Sequence, residues 1–152
     1  MKLALISGAA LLATTITAMA CPDYTRTGLE RAFTGAVLYS GVDFPIVAGG
    51  TNSLADCNLP VSGSGYFPSS ADFSIDLHEM GAYSLEVTVS GTCDTALLVN
   101  TPSVDWFFDD DSAGNLQPTL LLRNIGDGRI DIWVGTYNSE YCDATLHLET
   151  WN

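Results

Sequence analysis

The feature that most restricts the fold of this chain is an alternation of apolar and polar residues with a period of two. It is strongest at residues 73–78 (FSIDLH) and 83–90 (YSLEVTVS), and it returns at residues 128–137 (GRIDIWVGTY). A period of two places alternate side chains on opposite faces of a β-strand, so one face of each strand is apolar and buried. The alternation predicts Tyr83, Leu85, Val87 and Val89 on one buried face.

Shorter apolar runs predict further strands at residues 95–99, 106–108, 119–122 and 144–149. Strands at this spacing, separated by Gly, Pro and Asp turns, are typical of a β-sandwich or a β-barrel. The chain is therefore expected to form an all-β, antiparallel β-sandwich that disulfides stabilise.

The segment before residue 59 has a weaker pattern and predicts an irregular N-terminal part. Within it, residues 24–33 could form one helical turn with Thr27 as its cap, and residues 36–39 and 44–48 resemble strands. Residues 59–70 form a connector rich in Gly, Pro and Ser.

The first twenty residues resemble a bacterial secretory signal peptide, with Lys2, an apolar middle and the small-residue ending Ala18-Met19-Ala20. The apolar run is shorter than the roughly 20 residues that span a bilayer, which argues against stable membrane insertion. We expect a signal peptide at 1–20 and a single domain at 21–152, in the periplasm or outside the cell. A lipoprotein with a lipid on Cys21 is the alternative, and Ala18 and Pro22 disfavour it.

Four cysteines in an exported chain predict disulfides, and four cysteines allow three pairings. We expect Cys21–Cys57, which would hold a new N-terminus, and Cys93–Cys142, which would link a strand start to the last strand.

The net charge of −13 restricts the partners of the chain. Nucleic acid and anionic membranes bind clusters of Lys and Arg, which the sequence lacks. The excess of acid indicates either a solvated, soluble surface or a surface that tolerates cations.

The acidic loop, residues 109–115 (DDDSAGN), carries the most chemical groups of any segment. Asp109, Asp111 and Asn115 supply oxygens of the kind that calcium prefers, and Asp94 and Asp105 are supplementary ligands if the fold brings them near. The loop departs from the EF-hand pattern, and the alternative is a solvated turn in which Asp and Ser bond local backbone. Calcium is the one cofactor that the sequence suggests.

The sequence provides no catalytic constellation. His78 and His147 both lie on the polar faces of expected strands, and no GxSxG elbow or unpaired cysteine accompanies them. Two acids that meet in space could still hydrolyse a glycoside, which keeps a secreted hydrolase as an alternative.

Trp133 and Tyr137 lie on the strand face opposite Ile130, Ile132 and Val134. If exposed, they would form a platform for a polysaccharide or a protein partner. The alternative is that a loop or the N-terminal segment covers them. Trp106 and Trp151 are expected to pack.

Residues 73–151 resemble the bacterial pre-peptidase C-terminal domain, through the segments YSLEVTVSG, CDTALLV, DDDSAGN and GRIDIWVGTY. Gly128-Arg129-Ile130 departs from the tyrosine-containing pattern usual in that family. The resemblance implies a jelly-roll-like accessory or binding module of exported enzymes, of which some bind calcium or polymeric substrates. The sequence thus predicts a secreted, monomeric, non-catalytic binding module, with an acidic hydrolase or a structural or inhibitory surface protein as alternatives.

Overall fold

The computed structural model describes residues 20–152, so the expected signal peptide lies outside the described residues except for Ala20. The strands of the described part are β1 Leu29–Thr34, β2 Val42–Ala48, β3 Asn52–Ser53, β4 Tyr66–Phe67, β5 Phe73–His78, β6 Ser84–Gly91, β7 Thr95–Asn100, β8 Trp106–Asp109, β9 Thr119–Leu122, β10 Gly128–Thr136 and β11 Cys142–Trp151. A short helix, α1, spans Gly35–Leu38, and a single 3₁₀ turn spans Leu54–Asp56. No helix within residues 20–152 is long and apolar enough to cross a bilayer.

These strands form two sheets that pack face to face. In the large sheet, β10 pairs with β5 and β4 along one edge and with β7 along the other; β1, β3 and β8 extend it outward. The small sheet has the order β2-β11-β6-β9 and is antiparallel throughout. The expected β-sandwich is therefore confirmed.

The core lies between the two sheets and consists of the inward residues that the period of two predicts. Side chains with no exposed surface there include Ile75, Leu77, Leu85, Val87, Val89, Leu97, Ile130, Ile132, Leu146 and Leu148. Full burial of an aliphatic side chain of this size contributes about 2 kcal/mol to stability. Tyr83, which the alternation placed with Leu85, is half-buried against the same cluster.

Two predictions for the N-terminal part are wrong. Residues 29–34 form strand β1 instead of a helical turn, because they pair in parallel with the whole of β5, from Leu29 opposite Phe73 to Thr34 opposite His78. Residues 36–39 do not form a strand, since Thr34 caps α1 by accepting a hydrogen bond from the Val37 N–H. The expectation of an irregular N-terminal segment underestimated its regular structure.

The disulfides pair as expected, Cys21 with Cys57 and Cys93 with Cys142. Because the Cys21 sulfur is bonded to Cys57, it is not free to carry a lipid thioether. The second disulfide joins the turn before β7 in the large sheet to the first residue of β11 in the small sheet, and so it ties the two layers together.

Candidate binding surface

The two outer faces of the sandwich differ in what covers them. Residues 50–71, here called the covering segment, contribute β3 and β4 to the large sheet, and their apolar side chains form a second cluster on its outer face. That cluster contains Leu54, Phe67, Ala71, Ala96, Leu98 and Trp133. The first disulfide secures this arrangement by joining Cys57 of the covering segment to the N-terminal residues.

Trp133 is fully buried in this second cluster, and its ring stacks on that of Trp106 with centroids 5.2 Å apart. The indole Nε1 of Trp133 has no hydrogen-bond partner among the described residues. The suggestion that Trp133 forms an exposed platform is thus wrong, and the alternative of a covered tryptophan is confirmed. Tyr137, four residues further along, is 45% exposed.

A buried polar network also holds the N-terminal residues against the large sheet. Asp131 accepts a hydrogen bond of 2.5 Å from the Ser74 hydroxyl and one of 3.0 Å from Arg129 Nε. The Ser74 oxygen in turn accepts from the Gly28 N–H, and Arg129 Nη2 donates to the Tyr24 carbonyl. The carboxylate of Asp131 is paired with a guanidinium, so this cluster has the character of a structural anchor.

In the acidic loop, Asp109 behaves as the capping residue of a turn. Its carboxylate accepts hydrogen bonds from the Ser112 N–H at 3.0 Å, the Ser112 hydroxyl at 2.5 Å and the Thr119 N–H at 2.7 Å. These hydrogen bonds are the kind expected if the loop is a solvated turn in which Asp and Ser bond local backbone. Asp111 and Asn115 are exposed.

The fold brings Asp94 to the acidic loop, while Asp105 lies at the other end of β8. Burial, followed by the nearby charges of Asp111 and Asp110, raises the pKa of Asp94 above its ordinary value. Within residues 20–152, no three His, Cys, Asp or Glu side chains are grouped so as to hold a metal ion. Calcium binding by Asp109, Asp111 and Asn115 stays a prediction.

The outer face of the small sheet carries no layer of the described chain, and we call it the open face. It presents the outward residues of four strands, namely Asp43, Pro45 and Val47 of β2, Asp143, Thr145, His147, Glu149 and Trp151 of β11, Glu86, Thr88 and Ser90 of β6, and Thr119 and Leu121 of β9. Val47, Leu121 and Trp151 are each more than 40% exposed. The exposure of Trp151 contradicts the expectation that it packs.

A shallow groove crosses one end of the open face. Its walls are Pro45–Val47 of β2, Ser90–Thr92 at the end of β6, and Asp143–Thr145 of β11. The ring of Tyr141, which is 61% exposed, lies close to Gly49 just beyond the end of β2. Apolar and aromatic surface therefore lie side by side at the groove, at the end of the sandwich that contains the Cys93–Cys142 disulfide.

His147 occupies the middle of the open face between two carboxylates. Its Nδ1 lies 2.6 Å from Asp43 on β2, and its Nε2 lies 3.5 Å from Glu149 on its own strand. The hydrogen bond to Asp43, with a smaller contribution from Glu149, raises the pKa of His147 above its ordinary value. Neither ring nitrogen is directed at a hydroxyl or thiol, so the arrangement does not activate a nucleophile.

The raised pKa of His147 predicts a pH dependence of stability. The stabilisation that comes from protonated His147 is complete below the unfolded pKa of about 6.5 and is lost as the pH rises through the higher folded pKa. Between about pH 6 and pH 9 we expect the free energy of unfolding of the native protein to fall by up to about 1 kcal/mol more than that of the His147→Gln variant. The value is small because the His147–Asp43 pair is exposed to solvent. Urea unfolding at both pH values measures this, with His78→Gln as control; an identical pH slope in all three proteins contradicts it.

The fold and surface together define a two-sheet β-sandwich with one covered face and one open face. No protein-family model and no curated protein sequence matches the chain. Among solved structures, that of PliG from Aeromonas hydrophila, a periplasmic lysozyme inhibitor of g-type lysozyme, is similar with a TM-score of 0.46 and 12% identity, over 83% of this chain and 99% of that chain. A similarity this distant does not assign a function.

Sequence reasoning placed His147 on the polar face of its strand, but it missed Asp43 and Glu86 as parts of the same surface. Alternation had indicated only that such residues point away from the core. What it lacked was the pairing of β11 with β2 and β6, because the order of strands in a sheet is not encoded in the period of any one strand.

Proposed function

We propose that the protein is a secreted, non-catalytic binding protein that recognises a partner protein through the open face. The observation that carries the proposal is the contrast between the two sheets: residues 20–152 cover the outer face of the large sheet and leave that of the small sheet to solvent. An exposed surface with both apolar and polar residues on a rigid sheet is suited to protein association.

Three features of the described residues support a binding role over a catalytic one. All four cysteines are in disulfides, so no thiolate is available. His147 faces carboxylates on both sides, and the buried acid Asp131 is paired with Arg129. Export is part of the proposal, and the two disulfides support it because they persist in oxidising compartments.

The resemblance of residues 73–151 to the pre-peptidase C-terminal domain, a family of accessory modules, agrees with this proposal. A polysaccharide partner is less suited to the open face than a protein, because the exposed aromatics Tyr141, just before β11, and Trp151, its last residue, lie at opposite ends of that strand and form no continuous platform.

The test places a bulky side chain at the groove. Ser90 is exposed on β6 at the groove wall, so Ser90→Trp should block docking while the fold is kept. The matched control is Ser62→Trp, since Ser62 is equally exposed but lies in the covering segment. Each protein is immobilised and offered proteins from the exported fraction of the host, and the bound species are compared by mass spectrometry.

We expect a species that the native protein and Ser62→Trp retain and that Ser90→Trp loses, with affinity then measured by calorimetry. A g-type lysozyme is included among the folded proteins that are offered. Retention that is equal in all three proteins, or lost equally in both variants, contradicts docking on the open face.

A further inference from the structure

The open face carries charge of one sign. The four strands β2, β6, β9 and β11 contain four carboxylates, Asp43, Glu86, Asp143 and Glu149, and no lysine or arginine. All four carboxylates occupy outward positions, because they alternate with buried inward positions that are apolar except for Thr150. Within these four strands the only residue that can carry the opposite charge is His147, when it is protonated; the exposed Arg123 directly follows β9.

Two of these carboxylates lie directly opposite each other. The pairing of β6 with β11 places Glu86 across from Glu149. Like charges at directly opposite positions of an antiparallel pair destabilise the sheet. His147 lies 3.5 Å from Glu149 but forms its shorter contact, 2.6 Å, with Asp43. Glu86 accepts a hydrogen bond of 3.3 Å from the Thr88 hydroxyl. Among the described residues it forms no ion pair, because the contacts of His147 go to Asp43 and Glu149.

The surroundings of the pair fit a long cationic side chain. Leu121 on β9 lies opposite Glu86, and Trp151 follows Glu149 on the same face of β11. Both are more than 40% exposed. An arginine can stack its guanidinium on an indole, lay its aliphatic stem on apolar surface and bind carboxylate with its terminal N–H groups.

We propose that the Glu86–Glu149 pair is the recognition site for an arginine or lysine of a cationic partner protein. This inference rests on the proposed function and names the chemistry of the partner. The incoming cation removes the repulsion that the free protein carries, so the same substitution that weakens binding relieves the unbound sheet. If the carboxylate pair had a purely structural role, neutralising it would not combine weaker binding with relief of the unbound sheet.

The experiment neutralises the pair and measures two properties. The variant Glu86→Gln/Glu149→Gln is compared with Glu30→Gln/Asp56→Asn, which removes the same charge from exposed residues outside the small sheet. The probes are a poly-L-arginine peptide and lysozyme as a folded cationic protein, titrated by calorimetry at low and at physiological salt. A thermal melt of each unbound variant gives its stability.

We expect the pair variant to bind about tenfold more weakly than the native protein, and the control variant to bind within about twofold of it. The difference should shrink as salt screens the charges. At pH 9, where His147 has lost its proton and no longer offsets the charge of Glu149, the melting temperature of the unbound pair variant should equal or exceed that of the native protein. Equal weakening in both variants, or a melting temperature at pH 9 that is lowered in the pair variant alone, overturns the inference.

The two proposals fail separately. If Ser90→Trp abolishes capture of a partner whose affinity is independent of salt and of Glu86 and Glu149, the open face is the docking surface and the cationic partner is wrong. If Ser90→Trp retains its partner, the proposed function itself is wrong, whatever the carboxylate variants show.

Discussion

Replacing Cys93 and Cys142 together with serine should lower the free energy of unfolding by about 4 kcal/mol. The disulfide closes a loop with a sequence separation of 49 residues, and a cross-link over that length restricts the unfolded chain by about 4 kcal/mol in the chain-entropy model. The native stability of a domain this size is about 5 to 15 kcal/mol. The double variant should therefore be marginally stable.

The measurement is urea unfolding of the native protein and the double variant under non-reducing conditions. The matched comparison is Cys21→Ser/Cys57→Ser, whose loop has a separation of 36 residues. Because the entropy depends on the logarithm of loop length, the two losses should agree within about 0.5 kcal/mol if loop closure is the main term. A loss below about 1 kcal/mol in the Cys93/Cys142 variant contradicts the entropic argument.

The Cys93–Cys142 bond also bears on the proposed binding surface. Cys142 begins β11, whose outward residues line the groove and the middle of the open face, and the bond fixes that strand to the turn before β7. Reduction should therefore weaken partner binding as well as stability, since the docking surface loses its rigid support.

Much of the fold follows from local patterning. Strong alternation placed β5 at its observed bounds and β6 within one residue of its own, because the inward residues Ile75, Leu85 and Val87 need an apolar face whatever their partners are. The short apolar run 119–122 likewise matches β9.

The N-terminal errors arose where tertiary pairing outweighs local preference. Residues 29–34 (LERAFT) contain good helix formers, yet they form β1 because β5, more than 40 residues away, offers a full parallel partner. Strands β3 and β4 are two residues each and carry no periodic signal. Both strands lie in the covering segment, whose residues 59–70 the sequence described as a turn-rich connector and whose earlier residues it described as irregular.

The candidate site was less predictable than the fold for the same reason. Each member of the Glu86–Glu149 pair lies on the polar face of a recognisable strand, and the alternation shows this. Their apposition depends on β6 being the neighbour of β11 in a given register. A shift of one residue would turn Glu86 toward the core, so burial of Leu85 and Val87 determines the register that creates the site.

Asp72 supplies the second large expected effect, a gain of stability on Asp72→Asn at neutral and alkaline pH. Asp72 lies immediately before β5. Its backbone N–H donates to the Ile132 carbonyl, and its carbonyl accepts a hydrogen bond from the Leu29 N–H. One carboxylate oxygen accepts the Val134 N–H at 2.7 Å. Burial nevertheless raises the pKa of Asp72 to about 7, which means that the folded protein favours the neutral acid.

The direction of the effect follows from proton linkage. Between about pH 4 and pH 7 the folded state holds a proton on Asp72 that the unfolded chain has released, so stability falls as the pH rises through this range. At about 1.36 kcal/mol per pKa unit the loss reaches about 4 kcal/mol as an upper bound. Asparagine carries no charge, and its carbonyl oxygen can still accept the Val134 N–H.

We therefore expect Asp72→Asn to unfold at higher urea than the native protein at pH 8, with a gain of about 2 kcal/mol, and to match it near pH 4. The gain is smaller than the upper bound because the new amide N–H groups need partners in a mostly buried position. Asp76→Asn, an exposed carboxylate on the same strand, should change stability by less than about 0.5 kcal/mol at both pH values. A gain for Asp72→Asn that is equal at pH 4 and pH 8 would show that burial of the charge is not its cause.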